Sequence, residues 1–181
     1  MRLLMRLQCL SYIFYILHLF FMRTIKMSHN IIFTIYGEGG HRAQMIRLIN
    51  HIRQNDTDYI DIIDSKLIAR DNSYITYPIR KKSNNNIIYT LFSVVYNFIF
   101  SVYLIAKLKP KAIISTGPSI CIPFFVIAKI FRVKTIYIET WSRFYSKSFT
   151  AKFAYPLVDY FYYQNNELEY FYPNGIYCGR L

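Results

Sequence analysis

An α/β fold with a parallel, doubly wound sheet is predicted by three features of this 181-residue chain. Short apolar, β-branched runs alternate with longer runs of helical spacing. Two of the strand-like runs end in glycine-bearing turns that open directly into helices. The longest helical run leads straight into another strand, as a crossover between parallel strands does.

The first strand is expected over Ile31–Tyr36, where six apolar, aromatic or β-branched residues follow one another. Gly37-Glu38-Gly39-Gly40-His41 then turns the chain into a helix. Met45, Leu48, Ile49 and Ile52 form its apolar face, with Arg42, Arg47, Asn50 and Arg53 opposite. A turn over Asn55–Asp58 precedes a second strand at Tyr59–Asp64. A poorer third strand, Ser73–Tyr77, is stopped by Pro78, and Arg80–Asn86 is a polar, basic loop.

Ile87–Ala106 is a 20-residue run without a charge, in which Thr90, Ser93, Asn97 and Ser101 recur at three- and four-residue steps. Its length permits a membrane span. A helix packed on the sheet with its outer face in or near a membrane also fits, and the strand that follows Lys107–Lys111 favours that second reading. That strand, Ala112–Ser115, enters Thr116-Gly117-Pro118-Ser119 and a helix for which Ser119 is the expected N-cap, with Pro123 as its fourth residue. Thr135–Ile138 is the next strand and ends in Glu139-Thr140-Trp141-Ser142-Arg143. A short helix at Thr150–Tyr155, a strand at Val158–Gln164 and a short helix at Asn166–Phe171 complete the order. Ligands of such sheets bind at the carboxyl ends of the strands, where Gly37–His41, Thr116–Ser119 and Glu139–Arg143 all fall.

The chain carries 22 Lys and Arg against 10 Asp and Glu, together with 18 Tyr and 15 Phe. Basic residues flank the apolar runs, with Arg2, Arg6, Arg23 and Lys26 around the first and Arg80, Lys81, Lys82 and Lys107 around the second. That arrangement suits anionic lipid headgroups and argues against a nucleic-acid partner, which calls for basic stripes with few apolar spans. Cys9, Cys121 and Cys178 are widely separated, so neither a zinc site nor a disulfide framework is expected, and a reducing compartment fits. Leu7–Met22 is a 16-residue uncharged run, about 24 Å as a helix. It reads as a membrane anchor within residues 1–27, shallow or just spanning; a start at Met27 is the alternative.

The first turn aims free backbone N–H groups and the positive end of a helix dipole at one point, which suits a phosphate. A tight turn without a ligand is the plainer reading. Arg42 stands where the dinucleotide fingerprint needs its third glycine, which argues against a nicotinamide enzyme. Asp56-Thr57-Asp58 has the letters of a metal motif but lies in a connection before a strand, where Asp is a common turn former. No metal and no cofactor are expected.

Taken in order, Gly37–His41, Lys109–Gly117, Tyr137–Arg143, Tyr155–Asp159 and Tyr177–Leu181 resemble the PssD-type capsule and exopolysaccharide proteins of the Alg14-like family. These are bacterial relatives of the membrane subunit of the two-part UDP-N-acetylglucosamine transferase that makes lipid-linked oligosaccharide. The resemblance covers about residues 28–181. It implies one Rossmann-like acceptor-binding unit, the amino-terminal half of a split GT-B glycosyltransferase; MurG-type enzymes are similar but hold both halves in one chain.

The implied partners are a separate donor-binding subunit, a sugar on a polyprenyl diphosphate, and membrane lipids at the cytoplasmic face. The implied catalytic residues are His41, as base toward the acceptor hydroxyl, and Glu139, orienting the acceptor sugar or His41. Gly37, Gly39, Gly40, Arg42, Thr116, Gly117, Ser119, Trp141 and Arg143 are implied in acceptor or phosphate binding. Glu38 departs from the pattern, since a small residue is usual there. A non-catalytic membrane scaffold and a self-sufficient transferase are the alternatives.

Overall fold

The computed structural model describes residues 30–79 and 86–180. The expected anchor within residues 1–27 and most of the basic loop at 80–86 lie outside the described residues. Seven strands, all parallel, form one sheet in the order β3-β2-β1-β4-β5-β6-β7. They are β1 Asn30–Tyr36, β2 Thr57–Ile63, β3 Ser73–Ile75, β4 Ala112–Ser115, β5 Lys134–Ile138, β6 Tyr160–Tyr163 and β7 Ile176–Tyr177. The helices are α1 Gly40–Ile52, α2 Ile87–Leu108, α3 Cys121–Ile130 and α4 Phe149–Ala154. The expected doubly wound sheet is present.

Strand alternation sorts the core into two layers. Ile31, Phe33 and Ile35 of β1, Ile113 of β4, Tyr137 of β5 and Phe161 of β6 face a large cluster with Leu104, Ile105, Phe124 and Ala154 from α2, α3 and α4. Tyr36, Ile63, Ile114 and Ile138 face the other side, where Met45 of α1 is buried among them. Burying a side chain of this size contributes roughly 1.5–3 kcal/mol, so the helices cannot be exchanged between faces without exposing these strands.

The chain builds outward in one direction from β1 to β3 and in the other from β4 to β7. The sequence order therefore reverses between β1 and β4. The crevice at such a reversal, outside the carboxyl ends of the strands, is where open α/β sheets bind ligands.

Three local expectations are corrected. β2 begins at Thr57, because Asn30–Ile32 of β1 already pair with Thr57–Tyr59; Asp58 is thus in the strand, not the turn. Ser119 is not the N-cap of α3: Ile120 holds that position without a side-chain cap, and Ser119 Oγ lies 3.3 Å from Thr150 Oγ1. Pro123 is consequently the third residue of α3, where its missing N–H still has no helical partner to lose. The short helix expected at Asn166–Phe171 is present as a 3₁₀-helix, and Ile176–Tyr177 add an unexpected strand at the edge.

α2 runs two residues beyond the expected end, is capped at its start by Asn86, and ends on Lys109 in the left-handed region before Pro110. Its polar stripe is its buried side. Thr76 Oγ1 donates to Asn97 Oδ1 at 2.8 Å, Asn97 Nδ2 donates to the Tyr77 carbonyl at 2.9 Å, and Ser93 Oγ donates to the Pro78 carbonyl at 3.0 Å. These bonds satisfy the Tyr77 and Pro78 carbonyls beyond the last sheet bond, from Thr76 N–H to the Ile63 carbonyl, and they fix the rotation of the helix about its axis.

Candidate functional site

β1 delivers the first glycine turn to the reversal point and β4 delivers the second beside it. Gly39 has φ +66°, a conformation open to glycine at little cost. α1 starts at the next residue with no side-chain cap. Ala43 N–H is the first to close a helical bond, onto the Gly39 carbonyl at 3.1 Å, so the amides of the first turn point outward at its positive end. Gly39 and Gly40 are exposed, and a Cβ at Gly39 would meet nothing within 4 Å. Gly37 is buried against Asp64 and Pro118.

His41 joins the two turns. Its Nδ1 lies 2.5 Å from the Thr116 carbonyl, and Thr116 Oγ1 donates to the His41 carbonyl at 2.8 Å. A carbonyl only accepts, so Nδ1 donates to it, and Nε2 is the ring nitrogen left outside that bond. Gly117 sits under the ring at φ +124°; a Cβ there would fall 2.6 Å from His41 Cε1 and 2.9 Å from Nδ1. Glycine is therefore required at 117 by both backbone and space. Thr116 and Gly117 are themselves buried. Their contribution is to hold and orient His41.

The loop after β5 closes on the same place. Trp141 Nε1 is 3.9 Å from where a Gly40 Cβ would stand, and the Arg47 guanidinium lies over the indole at 5.0 Å. Asn165 Nδ2 donates to the Trp141 carbonyl at 2.8 Å and also to the Arg143 carbonyl. The Arg143 side chain is exposed and its Nη1 is 3.4 Å from Ser146 Oγ. Arg42 is half-buried, and its Nε has no partner among the described residues.

Glu139 stands apart from His41 in its bonding. It is fully buried; Oε1 accepts from Thr140 N–H at 2.9 Å, and Oε2 accepts from Ser148 N–H at 3.3 Å and Tyr172 O–H at 2.7 Å. Burial, together with the Glu139 charge, pushes the hydroxyls of Tyr172 and Tyr137 above the ordinary tyrosine range. The orienting of His41 that the sequence suggested for Glu139 falls instead to the Thr116 carbonyl. Glu139 pins both ends of the loop that carries Trp141 and Arg143.

Ser119 sits at the back of the second turn, engaged with Thr150. His41, Gly39, Gly40 and Trp141 are thus brought together, with Gly37, Thr116 and Gly117 beneath them; the Arg42 charge acts on the Tyr36 hydroxyl and Arg143 turns to Ser146. Sequence reasoning missed Arg47, Asn165, Ser148 and Tyr172. Only Arg47 left a sequence signal, as a cation one turn along the helix that opens at Gly40. A separate cleft of about 480 Å³ between α1 and the β2–β3 edge is lined by Tyr36, Asp61, Arg53 and Arg70, and by none of the predicted site residues. Among the described residues no group of three or more His, Cys, Asp or Glu side chains is clustered to hold a metal.

The family described as "Oligosaccharide biosynthesis protein Alg14 like" matches residues 32–181. The chain is 26% identical over 174 residues to the UDP-N-acetylglucosamine transferase subunit ALG14 of Rattus norvegicus, covering 81% of each chain. Its fold is similar to the MurG crystal structure from Acinetobacter baumannii, with TM-score 0.59, 14% identity, and 75% of this chain and 41% of that one covered. It is similar also to UDP-N-acetylglucosamine 2-epimerase from Rickettsia bellii, with TM-score 0.64, 12% identity and coverage of 84% and 45%. At those identities the likeness is one of fold: a Rossmann-like sheet of the GT-B kind, spanning less than half the length of either solved structure.

Proposed function

The chain belongs to the family of Alg14-like oligosaccharide biosynthesis proteins, and from that premise we propose that it is the acceptor-binding, membrane-associated subunit of a two-part UDP-sugar glycosyltransferase. In this reading residues 28–181 are the amino-terminal half of a split GT-B enzyme and residues 1–27 an anchor at the cytoplasmic face. A separate subunit supplies the UDP-sugar. The acceptor is a sugar on a polyprenyl diphosphate, and the product enters capsule or exopolysaccharide synthesis. Support comes from a relative of similar length that is named as a transferase subunit and matched over most of its chain.

The observation that carries the catalytic part is the His41–Thr116 pair at the β1/β4 reversal. His41 Nε2 accepts the proton of the acceptor hydroxyl as its oxygen bonds to the anomeric carbon of the donor sugar. The bond from that carbon to UDP breaks, and UDP leaves with the electron pair. The outward amides of the first α1 turn, with Arg42 as a cation carried on the same turn, meet the acceptor diphosphate. Trp141 offers an aromatic face to a sugar, and Arg143 a rim cation to a phosphate.

The test is reconstitution. The full chain, a neighbouring-gene donor subunit, a UDP-sugar and a polyprenyl-diphosphate-linked acceptor are combined and then omitted one at a time. Transfer is expected only with both proteins present. Full transfer by the chain alone, or by the donor subunit alone, contradicts the proposal.

A further inference from the structure

One polar side chain beside His41 has no role in the transfer step. Gln44 is fully buried, and neither Oε1 nor Nε2 of its amide has a hydrogen-bond partner among the described residues. A primary amide taken out of water and left unpaired destabilises a fold. Methionine or leucine would fill the same space with a similar helix preference and no such cost. Helix geometry puts this spare amide at the candidate site. Gln44 neighbours His41 at i−3, Gly40 at i−4 and Arg47 at i+3 on the surface of α1. Gly40 and Arg47 both meet the Trp141 ring: its Nε1 is 3.9 Å from where a Gly40 Cβ would stand, and the guanidinium lies over it at 5.0 Å. Gln44 lies between those two residues on the same strip of helix, under the indole.

We propose that Gln44 is a specificity-determining residue that reads a pair of adjacent hydroxyls on the acceptor sugar, a role that rests on the acceptor-binding reading above. A carboxamide presents one acceptor and one donor along a single edge. Two neighbouring hydroxyls of a pyranose meet both at once: one donates its proton to Oε1 while the other accepts from Nε2. Other groups of the proposed substrate do not match that edge. A phosphate ester only accepts, so Oε1 would face its charge with no proton between them. An acetamido group holds its N–H and C=O on opposite sides of a trans amide, so one carboxamide edge cannot reach both.

Gln44 is one helical turn from His41, so the pair of hydroxyls that it holds includes or adjoins the one whose proton His41 takes. The indole must turn aside to admit the sugar. Trp141 is anchored through its carbonyl, which accepts from Asn165 Nδ2 at 2.8 Å. Its ring can therefore rotate on its own torsions without moving the loop. Entry of the sugar exchanges an unpaired amide for a paired one, so the strain that Gln44 places on the empty fold is relieved by the bound hydroxyls.

The experiment uses the full chain, whose single tryptophan, Trp141, is the reporter. Its emission is followed as α-D-glucose 1-phosphate or α-D-galactose 1-phosphate is added, each beside its 3-deoxy analogue, which keeps no adjacent pair of ring hydroxyls. Gln44→Met, which retains the length of the side chain and drops the amide, is titrated in the same way. Wild type should bind at least one parent sugar about tenfold more tightly than its 3-deoxy analogue, and Gln44→Met should bind the two alike. Without sugar, the denaturant midpoint of Gln44→Met should rise, because no unpaired amide remains. The proposal is overturned by no emission change with either parent sugar, by parent and 3-deoxy sugars bound alike by wild type, by a preference that survives in Gln44→Met, or by a midpoint that falls, which would make the amide a structural bond. Transfer by the reconstituted two-subunit pair without this preference contradicts the Gln44 role alone. The preference without any transfer contradicts the transferase reading alone.

Discussion

The first and third loops at the carboxyl edge each present a titratable side chain, and they use it oppositely. His41 is half-buried and spends one ring nitrogen on the Thr116 carbonyl, leaving the other outside that bond. Glu139 is fully buried, and both its oxygens accept from its own chain, at Thr140, Ser148 and Tyr172. In the proposed reading the first keeps an atom for a ligand, whereas the second is consumed in holding its loop. What separates the two is the atom left over, not the residue's place in the loop.

That contrast makes stability predictions of decreasing size. Glu139→Ala leaves buried donors at Thr140, Ser148 and Tyr172 without an acceptor and should cost about 3 kcal/mol, read as a lowered denaturant midpoint. A loss under about 0.5 kcal/mol would mean that the carboxylate is not a clamp. Gly117→Ala forces a Cβ against His41 and a side chain into positive φ, at about 2 kcal/mol. It should also move the His41 ring resonances, whereas Glu139→Ala should move them less. Tyr172→Phe removes a single bond to Glu139 and should cost about 1 kcal/mol.

The same variant sharpens the comparison through pH. The Tyr172 hydroxyl is raised from 10.0 by burial first and then by Glu139. The folded state therefore resists losing that proton. Stability is intact below pH 10 and falls as pH rises beyond it. Tyr172→Phe should flatten that alkaline decline, which pH-dependent unfolding curves will show. The smallest effect belongs to Arg47→Met, which removes the cation over Trp141 and should cost about 0.5 kcal/mol, with a shift in tryptophan emission.

Much of this was legible in the sequence because it is local. The β-branched runs located six of the seven strands, and the glycines marked both turns, since backbone period and positive φ are written in neighbouring residues. The small-residue stripe of α2 was visible, but its inward direction was not, because its partners Thr76 and Tyr77 lie 21 and 20 residues away. The clamp that Glu139 makes was not legible, because its third partner, Tyr172, is 33 residues distant. Ser119 failed as a cap for the same kind of reason: Thr150, 31 residues on, faces its hydroxyl. β7 is two residues long, too short to show a period.

The central claim is that His41 keeps a basic nitrogen for an acceptor hydroxyl. His41→Asn tests it most directly, because the Asn amide can still donate to the Thr116 carbonyl but cannot take a proton. In the reconstituted two-subunit assay, turnover should fall by about 10²–10⁴-fold, with complex formation and acceptor KM close to wild type. Turnover that stays at the wild-type level in the His41→Asn pair contradicts the account.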